Sequence, residues 1–189
     1  MMEEIIGEVH RFVNIEMCDE DWGLLLKLIL DVMVCGSLIR VGVIDYKEQI
    51  IPDKLNLKIF TTGLEYVVIV GLGFVMIEQD LTYEGDFKMA AVSRLVGAVA
   101  LPGIMLVLNF LIKGAFGGGD IKLAGALGMA YGWQDAGNGI LLGILISGFC
   151  GIILLITKRK KIGDRFPLGP FLVIGMILII GEFWLGKVI

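Results

Sequence analysis

The chain has 189 residues, 57% of them hydrophobic, with mean hydropathy +0.86 and a formal net charge of −4. A soluble domain is usually about 45–50% apolar, and the excess here lies in long continuous runs, so one soluble core is excluded. The runs do not alternate over roughly ten-residue segments, which excludes a membrane β-barrel.

Residues 1–21 form an acidic N-terminal tail, with Glu3, Glu4, Glu8, Glu16, Asp19, Glu20 and Asp21 against Arg11. An acidic start is unlike the basic n-region of a cleavable signal peptide. Six apolar spans follow, at 22–44, 59–77, 89–112, 121–133, 139–157 and 166–184. They predict an all-α polytopic membrane protein occupying residues 22–189. The fourth span is short against the ~20 residues a crossing needs. It follows the Gly-rich stretch 114–119, which predicts a break or re-entrant turn before it.

The loops alternate in charge. Loop 45–58 holds Lys47, Lys54 and Lys58, segment 113–122 holds Lys113 and Lys122, and loop 158–165 holds Lys158, Arg159, Lys160, Lys161 and Arg165. Loop 78–88 is acidic instead. The positive-inside rule puts the basic loops in the cytoplasm and both chain ends outside it. A basic run between apolar segments reads as such a loop, not as a nucleic-acid surface.

Two carboxylates stand out. Asp120 ends Gly117-Gly118-Gly119-Asp120, and Asp45 lies just before Ile51-Pro52. An ionisable group near the membrane interior is expensive and marks function by default. Topology places both at the cytoplasmic membrane boundary, although neither is chosen by topology. Two carboxylates sharing a proton can perform acid–base hydrolysis. Asp31 lies about 21 Å along a helix from Asp45, and Lys27 at i−4 predicts an intrahelical pair for it. Glu65 and Arg94 are candidates to pair between the second and third spans. Lys122 and the helix N-terminus would favour an ionised Asp120, and Pro52 sets an extended entry after Asp45.

Other chemistries lack residues. His10 is the single histidine and lies in the tail, so Ser37, Ser93 and Ser147 have no base in the membrane region. Cys18, Cys35 and Cys150 have no metal-ligand spacing, and no metal or other cofactor is expected. The Gly-rich stretch lacks the Gly-Lys-Ser/Thr ending of a phosphate loop. A small ion or solute transporter remains an alternative, since carboxylates beside broken helices also form ion sites.

Asp45 lies seven residues before Pro52 of Ile51-Pro52; Gly117-x-Gly119-Asp120 is followed by Lys122; Pro167-Leu168-Gly169-Pro170-Phe171 follows a basic loop. In these three motifs, and in their order, the chain resembles the type IV prepilin peptidases. The resemblance implies a six-helix intramembrane aspartic endopeptidase of the cytoplasmic membrane. Its partners would be membrane lipid and prepilin-like substrates with an apolar N-terminal helix, whose short basic leader it cleaves at the cytoplasmic face. Asp45 and Asp120 inherit the catalytic roles. Pro52, Gly117, Gly119, Lys122, Pro167, Gly169 and Pro170 inherit substrate-binding or supporting roles. Asp53 stands where family members commonly have asparagine, adding negative charge near the site. Longer members carry paired Cys-x-x-Cys motifs associated with N-methylation; the sequence shows none, so methyl transfer is not expected of it. Presenilin-like proteases share Gly-x-Gly-Asp but lack the Asp-to-Ile-Pro spacing.

Overall fold

The computed structural model describes residues 16–77, 81–112, 114, 116–158 and 167–188. Most of the acidic tail and the basic run 159–166 lie outside these residues, as does part of the acidic loop 78–88. Among the described residues the chain is all-helical, with α1 Glu16–Glu48, α2 Asp53–Ile77, α3 Leu81–Leu111, α4 Gly118–Ile156 and α5 Gly169–Val188.

Three of these are long and apolar enough to cross a membrane: Lys88–Leu111 in α3, Gly118–Ile156 in α4, and Gly169–Gly186 in α5. The expected first and second spans are helical too, but the first carries Lys27, Asp31 and Arg40 and the second carries Glu65, with Lys58 just before it. The outer surface is apolar, as a lipid-facing surface requires. Val99 is 74% exposed and Phe110 85%.

The inner surface follows helical periodicity. In α1, Leu30, Val34, Leu38 and Val41 recur every three or four residues and are all buried. They join Ile59 of α2, Leu123 and Leu127 of α4, and Leu172 and Met176 of α5 in one core. The core sits around α4, which packs on α2, α3 and α5.

Small residues let the backbones meet there. A Cβ on Gly63 of α2 would fall 2.6 Å from Ala130 Cα of α4, and one on Gly143 of α4 would fall 2.7 Å from Leu172 Cα of α5. The 39 residues of α4 are not one straight rod. Gly132 adopts φ 85°, ψ 177° inside it, a conformation open to glycine and strained for other residues. Neighbours along α3 record a reversal at that point. Gly125 lies against Pro102 and Gly132 against Ser93, and then Gly137 lies against Leu101. The turn expected between the spans 121–133 and 139–157 falls at Gly132, and the helix resumes at once after it, with Trp133 N–H donating to Ser93 Oγ at 3.2 Å.

Each connection near Asp45 and Asp120 has a local cause. Gln49 takes the left-handed conformation, φ 55°, and ends α1. Its N–H donates to the Asp45 carbonyl at 2.9 Å. Pro52 holds Ile51 out of the helical region, and its carbonyl accepts the N–H groups of Leu55 and Asn56. Asp53 then opens α2 with a charge that suits a helix N-terminus. In α5, Pro170 occupies the first turn, where its missing N–H costs nothing.

Candidate active site

Asp45 lies in the last turn of α1 and is 6% exposed. Its Oδ2 accepts the Gly169 N–H at 2.9 Å. That N–H opens α5 and is one of the four a helix leaves without an internal partner. Asp45 thus caps α5 from another helix. Only glycine allows this approach: a Cβ at 169 would lie 2.6 Å from Asp45 Oδ2. Asp45 lies past the end of the predicted span 22–44. Burial pushes its carboxyl above the ordinary carboxylate range, and the Gly169 N–H opposes that shift.

Asp120 stands in the first turn of α4 and is 8% exposed. Its Oδ2 accepts the N–H of Gly117 at 3.1 Å. This is the returning half of a capping box, with a glycine at the cap that has no side chain of its own. Asp120 Oδ1 is buried and has no partner. Both carboxylates therefore sit against the positive ends of helices. Among the described residues no lysine, arginine or histidine bonds to either.

The segment between α1 and α2 joins the two. Ile51 is 7% exposed and lies over Gly119, where a Cβ would come within 2.8 Å of Ile51 Cβ. Asn56 Nδ2 donates to the Gly119 carbonyl at 3.3 Å. The glycine before Asp120 thus admits the chain's own Ile51. Asn56 is the residue that sequence reasoning missed, because nothing local signals a partner 63 residues away.

Lys122 does not serve Asp120. Its Nζ lies 2.8 Å from both carboxylate oxygens of Asp53, on an exposed pair. The charge that Asp53 brings near the site is met by the lysine next to it. Pro167 precedes α5 and is half-buried.

A third buried carboxylate lies at the other end of the bundle. Asp31, 3% exposed, meets Lys27 at 3.5 Å, as the i, i+4 spacing predicts. It also accepts Trp184 Nε1–H of α5 at 2.8 Å. Lys27 Nζ lies 4.1 Å from the centre of the Phe183 ring, a cation–π contact. Arg94 is not paired with Glu65. It donates to the Ala130 carbonyl and lies over the Tyr66 ring, 4.6 Å from its centre.

Among the described residues no three His, Cys, Asp or Glu side chains are grouped to hold a metal. In hydrolysis a pair of buried carboxylates can divide the work. One takes a proton from water while the other, still protonated, donates to a carbonyl oxygen.

The model of the type IV leader peptidase family matches residues 32–156, a stretch that contains both Asp45 and Asp120. A protein of Aeromonas hydrophila named prepilin leader peptidase/N-methyltransferase is 30% identical over 154 residues, 81% of this chain and 48% of that protein. Proteins of the same name from Legionella pneumophila and Stutzerimonas stutzeri are 28% and 27% identical. They align with 86% and 75% of this chain and 52% and 45% of their own lengths. The chain thus spans about half the length of the curated relatives it matches. No solved structure matches it.

Proposed function

The chain belongs to the type IV leader peptidase family, and from that premise we propose that it is an intramembrane aspartic endopeptidase with Asp45 and Asp120 as its catalytic pair. The observation that carries this reading is the state of the two carboxylates. Both are buried, each spends Oδ2 on a helix-start N–H, and Asp120 Oδ1 is left without a partner. An acceptor kept free in a buried site suits a group that must exchange protons with water or substrate.

In the proposed reaction one carboxylate removes a proton from water, and the oxygen attacks the scissile carbonyl carbon. The other donates its proton to the carbonyl oxygen. The tetrahedral adduct then collapses, the C–N bond breaks, and the leaving nitrogen takes up a proton. The dyad titrates as a unit, so neither residue is assigned as base or acid. The backbone N–H groups of Gly117 and Gly169 hold the carboxylates in place for both steps.

The proposed substrate is a prepilin-like protein whose short basic leader is removed before an apolar N-terminal helix. The proposed setting is the cytoplasmic membrane, with the dyad facing the cytoplasm. Six crossings are part of the proposal. A straight 39-residue helix would run about 58 Å, roughly twice a hydrocarbon core of about 30 Å, and the reversal at Gly132 supports counting α4 as two.

The test is leader processing in membranes that contain this protein and a prepilin. Asp45→Asn and Asp120→Asn should each lower the rate on the order of 1,000-fold or more. Processing at the normal rate by either variant would overturn the dyad.

A further inference from the structure

Resting on the peptidase reading, we infer that Asn56 is a specificity-determining residue: its Oδ1 accepts a backbone N–H of the substrate in the cleft between α2, α3 and α4, and so selects which peptide bond meets the dyad. A cavity of about 570 Å³ occupies this cleft, walled by Leu57, Phe60, Pro102 and Ile121, with Asn56 in its lining. It exists because α2 and α3 scarcely touch while both pack on α4.

Asn56 is 5% exposed. The orientation of its amide is fixed by chemistry, because the Gly119 carbonyl can only accept and so must face Nδ2. Oδ1 is left buried with no partner, a costly state for an acceptor. Lys54 and Lys122 also line the cleft, but neither donates to Oδ1, and Lys122 Nζ bonds to Asp53 instead. The missing partner is then a donor brought by a molecule that enters the cleft. Lipid acyl chains carry no donor. An extended peptide with apolar side chains carries an N–H at every residue. Asn56 is bonded to the residue next to Asp120, so a peptide held at Oδ1 is held at a fixed distance from the carboxylate.

The test uses a prepilin-like peptide whose backbone amides near the scissile bond are replaced one at a time by esters, each removing a single N–H. With the unaltered enzyme, one ester should raise KM about tenfold, with kcat little changed, as expected for one lost hydrogen bond in a buried site. In Asn56→Ala that ester penalty should shrink below about twofold, while penalties elsewhere persist. The same ester profile in both enzymes would overturn the inference, since it would mean that water or nothing meets Oδ1. If Asp45→Asn and Asp120→Asn still cleave, the peptidase reading itself fails; if they do not and the profiles match, only the role of Asn56 fails.

A second measurement does not depend on Asn56→Ala folding. With p-benzoylphenylalanine in place of Phe60 in an Asp120→Asn background, light should join the uncleaved substrate to position 60. The same group at lipid-facing Val107, 59% exposed, should not label it. Equal labelling at both positions would overturn the cleft as the substrate's place.

Discussion

The bundle buries a carboxylate at each end, and the two ends treat it differently. Asp31 Oδ2 meets both a cation and a donor, Lys27 one turn away and the Trp184 indole, with an aromatic ring against the lysine, while its Oδ1, like that of Asp120, has no partner. Asp45 and Asp120 are given one backbone N–H each and no cation. Burial is nearly equal at the two ends, so it does not distinguish them. A neutralised carboxylate is locked into the fold, whereas one held by a single N–H keeps its proton chemistry available.

The comparison can be broken most sharply at Gly169. A methyl group there would press on Asp45 Oδ2, and a displacement of about 1 Å at a reacting group costs roughly 100-fold. Gly169→Ala should therefore lower the cleavage rate on the order of 100-fold with the helices intact by circular dichroism. A near-normal rate would show that the Asp45 position is not critical.

At the opposite end the effect should fall on stability. Asp31→Ala removes the partner of both Lys27 and Trp184 and should cost about 2 kcal/mol, read as a lower unfolding midpoint in detergent. Cleavage at a temperature where both forms are folded should change less than about threefold, since the site is about 21 Å away along α1. Loss of activity without loss of stability would erase the distinction between the two ends.

The smallest effect concerns Asp45 and pH. Its carboxyl is held above the ordinary range by burial, so the folded protein binds a proton more tightly than the unfolded chain. Stability then falls as pH rises from the ordinary carboxylate value through the raised one. Asp45→Asn removes the ionisable group and keeps an acceptor for Gly169. It should stabilise the fold at pH 8, with the gain fading as pH drops toward about 4, measured by thermal unfolding across that range. Destabilisation at pH 8 would mean that Asp45 is bound into the fold as an anion.

Much of this was legible in the sequence because it rests on short-range rules. Continuous apolar runs marked α1, α2, α3 and α5, and i, i+4 spacing marked Lys27 with Asp31. The helices extend beyond the apolar spans drawn from residues 22 and 59, with α1 beginning at Glu16 and α2 at Asp53. Hydropathy measures what lipid tolerates, while a polar first turn is favourable to a helix. Asp45 and Asp120 could be singled out as costly groups, but their partners could not. The Gly169 N–H is 124 residues from Asp45, and Asp53 is 69 from Lys122. Such contacts depend on where helices cross, which periodicity does not encode. The same limit explains Arg94, assigned to Glu65 on charge alone and found on a carbonyl and an aromatic ring. The turn between the fourth and fifth spans is read from the polar residues at 134–138, two residues beyond Gly132, whose positive φ carries the reversal.

That turn bears on how the protein is made. Residues 118–156 leave and return to one face of the bundle, and only the short stretch around Gly132, with Gln134 and Asp135 beyond it, must reach the other. Such a segment can enter a bilayer as one pre-paired hairpin. In the six-crossing arrangement proposed above, the translocation machinery would have no soluble loop to carry across between its two limbs, and the limb bearing Asp120 would reach its final depth together with the limb that meets α5.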